Sequence, residues 1–168
     1  MDQDQRKEWL NSLVTRWEKP LLRLCFAFLC DTALAEDAVQ ETFFKAWKGV
    51  DRFRADSSEK TWLTRIAVNT CKDLRKSAWV RNTDRSVTPE LLPEGSVPFD
   101  ERDDTVTRAV LSLPPKLKDV TLLHWYQGMT LDEITRVLRL PRSTVNYRLK
   151  KAKAMLKEQL EDWYYEDE

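Results

Sequence analysis

The sequence predicts an all-α protein: a four-helix N-terminal domain and a C-terminal helix-turn-helix domain, two small helical domains joined by a flexible linker. Three observations carry this. The 168 residues include only three glycines and are 33% charged, a composition that favours helices. Apolar residues recur at spacings of three and four, and no strand-like alternation stands out. One stretch, 82–104, breaks the pattern with Pro89, Pro93, Gly95 and Pro98. Those 23 residues, if extended, reach roughly 75 Å. The expected division is 1–81, linker 82–104, and 105–168.

In the first half, helices are expected near 5–18, 20–30, 33–49 and 59–79. Pro20 suits the first turn of the second. In the third, Val39, Phe43, Ala46 and Val50 form one apolar stripe. In the fourth, Leu63, Ile66, Ala67, Thr70 and Leu74 form the inner face. After the linker, helices are expected near 103–112, 115–127, 130–138 and 142–162. Gly128 is a stop for the preceding helix. Thr130 and Glu133 make a capping box that starts the next, and Leu140-Pro141 ends it. The last helix then carries Val145, Leu149, Ala152, Leu156 and Leu160 on one side. A short helix, a tight turn and a longer amphipathic helix make a helix-turn-helix.

Composition excludes several classes. The longest apolar run, LLRLCFAFLC at 21–30, is interrupted by Arg23 and falls short of the roughly 20 residues of a membrane helix. The N-terminus MDQDQRKEW is unlike a signal peptide, so a soluble, cytoplasmic protein is expected. Cys25, Cys30 and Cys71 lack the Cys/His partners of a zinc site and read as small buried hydrophobes. His124, the single histidine, sits among apolar neighbours and reads as structural. There is no phosphate-cradling Gly-rich loop. Asp37 and Glu41, one helical turn apart, could hold a metal in principle, but no enzyme, cofactor, metal or small-molecule substrate is expected.

Lys+Arg and Asp+Glu balance at 28 each, yet 139–157 holds seven basic residues and no acid. Solvated helix faces usually mix signs, so this run points to DNA. The start of a recognition helix meets base edges. Arg can pair with guanine and Asn with adenine, which makes Arg142, Asn146 and Tyr147 base-reading candidates, then Lys150. Lys151, Lys153 and Lys157 suit phosphates, which add affinity without sequence information.

The 59–79 helix has a second face of Trp62, Arg65, Asn69, Lys72, Lys76 and Trp79, spaced 3, 4, 3, 4, 3. Aromatics interleaved with cations suit unstacked single strands. For each tryptophan alone, packing against neighbouring helices is an equally good reading. The 33–49 helix instead shows Glu36, Asp37, Gln40 and Glu41, an acidic face that repels DNA. It reads either as a solvated face or as a dock for a basic protein.

Taken together, AEDAVQETFFKAWKGVDRFRADSSEKTWLTRIAVNTCKDLRK (35–76) and LSLPPKLKDVTLLHWYQGMTLDEITRVLRLPRSTVNYRLKKAKAMLKEQL (111–160) resemble the extracytoplasmic-function sigma factors, the minimal two-domain relatives of sigma-70. The resemblance implies a subunit that binds core RNA polymerase, directs it to specific promoters and helps melt the minus-ten element. The D-A-V-Q-E-x-F helix resembles the one that docks on the β′ clamp helices, which carries Asp37, Gln40, Glu41, Phe44 and Trp47 over as core-binding candidates. FRADSSEKTW resembles the loop that captures a flipped minus-ten base, with Phe53, Arg54 and Ser57. The following W-L-x-R-I-A-x-N helix, with Trp62, Arg65 and Asn69, resembles the strand-opening segment; Lys72 and Lys76 extend its stripe. The helix-turn-helix resembles the reader of the minus-thirty-five element, with Arg142, Ser143, Thr144, Asn146, Tyr147, Arg148, Lys150, Lys151 and Lys153. The linker resembles the connector that threads toward the polymerase active site.

The resemblance also implies an anti-sigma factor as partner, soluble or membrane-bound. Two departures stand out. Ser143 replaces a frequent glycine, and Lys150 and Lys151 stand where arginine is frequent, so the bidentate arginine fork is missing there. The acidic linker and the tail EDWYYEDE either mask the basic helices or keep the chain soluble. A stand-alone helix-turn-helix regulator is the competing class. It requires dimerisation for two half-sites, and no zipper heptad or separate dimer domain is visible.

Overall fold

The structure is a computed structural model that describes residues 1–53, 57–81 and 104–166, with side chains through 77 in the second span and over 105–161 in the third. The linker, Arg54, the Trp79 side chain and the tail aromatics lie outside the described residues. The elements are α1 (Gln3–Leu29), α2 (Thr32–Gly49), a 3₁₀ turn (Val50–Arg52), α3 (Glu59–Arg81), α4 (Asp104–Ser112), α5 (Pro115–Thr121), a π-helical turn (Leu122–Tyr126), α6 (Leu131–Leu138) and α7 (Arg142–Glu166). Every described element is helical, as the sequence predicts.

Thr130 and Glu133 form the expected box that opens α6. Asp2 and Gln5 form a capping box for α1 and Asp31 caps α2, neither of them anticipated from the sequence. Ser58, not anticipated from the sequence, accepts the Thr61 N–H at 3.1 Å at the start of α3. Gly128 has φ +65, the left-handed geometry of a helix stop. Val39, Phe43, Ala46 and Val50 are all buried, as are Leu63 and Ala67.

Two expectations are corrected. The break expected at Pro20 is absent, because α1 runs unbroken through it. An interior proline forfeits a backbone hydrogen bond. Here Leu13, Leu21 and Leu24 fall on one buried stripe across it, and that continuous packing outweighs the loss. The single helix expected over 115–127 ends as α-helix at Thr121 and continues as a π turn, with Gln127 N–H donating to the Leu122 carbonyl at 3.0 Å. The wider turn lets the chain reach Gly128.

The N-terminal core forms where α1, α2 and α3 pack together. In the C-terminal half, α5 and α6 pack on α7. The two halves also meet. Helix α3 lies against α6, α1 touches α5, and buried apolar side chains of both halves form one contiguous cluster. Periodicity within each half gave no indication of that contact.

Candidate nucleic-acid and polymerase interfaces

Three surfaces follow from the helical registers. On α7, Val145, Leu149 and Ala152 are buried against the C-terminal core. That orientation sends Arg142, Ser143, Asn146, Tyr147, Lys150, Lys151 and Lys153 into solvent, with Thr144 and Arg148 half-buried. Tyr147 is 62% exposed, a large price in apolar surface for a monomer to leave uncovered. The Lys151 ammonium lies 5.9 Å from its ring. Arg142 pairs with Asp132 of α6 at 2.7 Å, but both side chains are about two-thirds exposed, so the pair contributes little and leaves Arg142 available. The face is basic, exposed and set on the second helix of the motif, as a major-groove reader requires.

On α2, Ala35, Ala38, Val39, Thr42, Phe43 and Ala46 are buried, which turns Glu36, Asp37, Gln40 and Glu41 outward. Glu41 pairs with Lys45 at 3.8 Å, and the Lys45 ammonium donates to Thr70 at 3.0 Å. Phe44 is 51% exposed, with the Lys48 ammonium 4.3 Å above its ring. Beside it, Phe43, Phe44 and Trp47 line a groove with Lys7, Leu10 and Asn11 of α1. The sequence reading named the α2 residues but not the α1 wall, because nothing in a helical pattern says which neighbour it meets.

On α3 the stripe is less open. Trp62 is half-buried, its ring 6.1 Å from Trp9 and 4.8 Å from Phe53. Gly49 lies beside the ring, and a Cβ there would make an ordinary contact with it at 3.6 Å. Glu59 anchors the start of the helix, accepting from the Trp17 indole N–H at 2.7 Å and from Arg16. Ser57, Arg65, Asn69 and Lys72 are half-buried and Lys76 is exposed. Among the described residues, the Arg65 Nε is buried without a hydrogen-bond partner. Lys72 has its pKa lowered, first by burial and then by the charges of Arg75, Arg148 and Lys76, with Asp119 opposing. Arg148 belongs to α7, so charge from the C-terminal half reaches this stripe.

The remaining candidates are structural. The His124 ring Nδ1 lies 2.9 Å from the Met129 carbonyl, and its ring meets Trp125 edge-on. Cys25 and Cys71 are buried side by side. A hydrogen bond to Cys25, together with burial, pushes the Cys71 thiol well up, so it is a poor nucleophile. Among the described residues no group of three or more His, Cys, Asp or Glu is placed to hold a metal ion. Among them, too, no helix is long and apolar enough to cross a membrane.

Comparison with known proteins gives the class these surfaces belong to. Residues 13–81 match Sigma-70 region 2, and residues 103–156 match Sigma-70, region 4. The chain is 30% identical to the RNA polymerase sigma-H factor of Pseudomonas aeruginosa, covering 92% of this chain and 88% of that one. It is 31% identical to the ECF RNA polymerase sigma factor SigW of Bacillus subtilis, covering 89% and 88%. The solved structure of CnrH with the cytosolic domain of CnrY is similar at TM-score 0.66 and 26% identity, covering 93% and 90%. The sigma factor RpoE of Bartonella quintana, solved with the anti-sigma factor NepR, shares the fold at TM-score 0.75 and 21% identity, covering 92% and 98%. The chain belongs to the extracytoplasmic-function sigma factors of the sigma-70 family. It is a specificity subunit that directs RNA polymerase to promoters. Proteins of this family are regulators rather than enzymes.

Proposed function

We propose that the three surfaces divide the work of initiation in a cytoplasmic, non-catalytic subunit. Residues 1–81 bind core polymerase and open the minus-ten element, 105–168 read the minus-thirty-five element, and 82–104 connect them. The acidic, aromatic face of α2 (Asp37, Gln40, Glu41, Phe44, Trp47) docks on the β′ clamp helices. Phe53, Arg54, Ser57, Trp62, Arg65, Asn69, Lys72 and Lys76 engage the minus-ten strand. Arg142, Ser143, Thr144, Asn146, Tyr147, Arg148, Lys150, Lys151 and Lys153 engage the upstream duplex. An anti-sigma factor holds the protein inactive. RpoE of Bartonella quintana, similar in fold, was solved with the anti-sigma factor NepR, and CnrH with the cytosolic domain of CnrY.

One observation carries this reading. A single chain exposes an acid-and-aromatic helix face on α2 and an acid-free basic face on the recognition helix α7. The first surface suits a protein partner and the second suits DNA. A stand-alone regulator has no use for the first. Run-off transcription with core polymerase, promoter fragments of the source genome and this protein as the added factor tests it. Specific transcripts are expected, and they should vanish in an Asp37→Arg/Glu41→Arg variant that still folds. Specific duplex binding by the protein alone, with no polymerase-dependent transcripts, would overturn it.

A further inference from the structure

The contact between the two halves includes a set of polar pairs beside its apolar cluster. Arg75 of α3 and Asp119 of α5 form a fork-to-fork pair, with nitrogen-oxygen distances of 3.2 and 3.1 Å. Asp119 is buried at 5% exposure, and so is its neighbour Lys118 at 6%. The Arg75 guanidinium also donates to the Phe28 carbonyl near the end of α1, at 2.9 Å. The Lys118 ammonium donates to the same carbonyl at 3.3 Å and lies 3.7 Å from the Cys30 sulfur. Further along α3, the Lys60 ammonium donates to the Gln127 carbonyl at 2.8 Å. All of these contacts except the one from Arg75 to Phe28 join residues from opposite sides of the linker.

A fork-shaped guanidinium can donate in bidentate fashion to a carboxylate or to a phosphate. Arg75 lies one residue before Lys76 and three after Lys72, beside the cationic stripe read as the strand-opening face. In the closed arrangement Asp119 holds that fork, and its charge counters the crowding of Lys72 by Arg75, Arg148 and Lys76. Among the described residues the Arg65 Nε is also buried with no acceptor, a costly state for a donor. The base-reading residues Arg142, Asn146 and Tyr147 stay exposed throughout.

We propose that Arg75 is a further contact for the DNA backbone on α3, and that Asp119 is an internal stand-in for a phosphate that latches the two halves together and competes with the melted strand. The latch closes the strand-capture face and leaves the duplex-reading face open. Lys118 seats the latch by tying α5 to the end of α1. The proposal rests on the reading of α3 as the strand-capture helix.

The test uses the full chain with two fluorophores on non-cysteine handles at exposed positions 36 and 157, and a fluorescent oligo(dT) as the single-strand probe. Asp119→Asn is expected to lower energy transfer and to tighten oligo(dT) binding about tenfold at low salt, as when a tenth of the molecules is open at rest. Lys118→Met is expected to act in the same direction, and it decides the matter if Asp119→Asn does not fold. Arg75→Gln should also lower energy transfer, but without the gain in affinity, because the phosphate contact goes with the latch. Folded Asp119→Asn and Lys118→Met proteins with unchanged energy transfer would overturn the latch. Opening without tighter binding would overturn the competition. If Lys72→Ala leaves oligo(dT) binding unchanged, the strand-capture reading itself fails, and energy transfer still reports whether Asp119 holds the halves together.

Discussion

Side chains of the same type have different roles here according to what surrounds them. Lys118, buried against a carbonyl, fastens one helix to another, whereas Lys151 lies in solvent above a tyrosine ring. Arg142 has a partner, but an exposed one that contributes little. These differences set the expected responses. Asn146→Ala should cost about 1–3 kcal/mol at one base pair of the upstream element and relax the preference there. Lys151→Ala should weaken all sequences alike and reduce the salt slope of binding by about 1. Affinities of promoter variants, measured with the holoenzyme over a salt series, separate the two. Uniform loss in Asn146→Ala would make that residue a backbone contact.

Among the elements, α6 and the turn before it are the most sharply specified. Gly128 sits at φ +65, and a Cβ there would meet nothing within 4 Å. Gly128→Ala therefore carries only the conformational cost of left-handed backbone, about 1–2 kcal/mol. Urea unfolding at constant slope is the measure, and a neutral result would mean that the turn relaxes. Helix α3 depends more on what it packs against. Its inner positions Leu63, Ala67 and Val68 are buried, while its outer stripe is partly covered and its lysine at 72 is depressed. A lysine with a lowered folded pKa costs stability while charged. That cost is fully present below the folded pKa, and stability rises with pH between it and the unfolded value near 10.5.

At the scale of the whole molecule, the same lysine reports how the halves are arranged. Arg148 depresses it from across the contact and Asp119 supports it. Removing Asp119 from a protein that stays closed should lower the Lys72 pKa further. Removing it from one that opens should raise the pKa, because burial and the Arg148 charge are relieved together. An NMR titration of the lysine side chains in Asp119→Asn distinguishes these by sign. Among the described residues, Glu161 pairs with Lys157 on its own helix at 3.8 Å.

The sequence by itself determined the all-α class, the helix-turn-helix and the family. Each rests on local rules, namely periodicity, the Thr130 and Glu133 box and the Gly128 stop, or on contiguous motifs such as DAVQETF and WLTRIAVN. It also determined which way α7 and α2 face, because a buried stripe fixes the opposite face of a helix. What it could not determine lies between elements. The unbroken course of α1 through Pro20 was decided by packing against α2 and α3, which outweighs a lost hydrogen bond. The α1 wall of the Phe44 groove and the place of Trp62 between Trp9 and Phe53 required knowing which helices are neighbours. The pairing of Arg75 with Asp119 joins residues 44 positions apart across the linker. Each of the two looks like an ordinary surface charge on its own helix, and only tertiary structure brings a carboxylate to a cation at that separation.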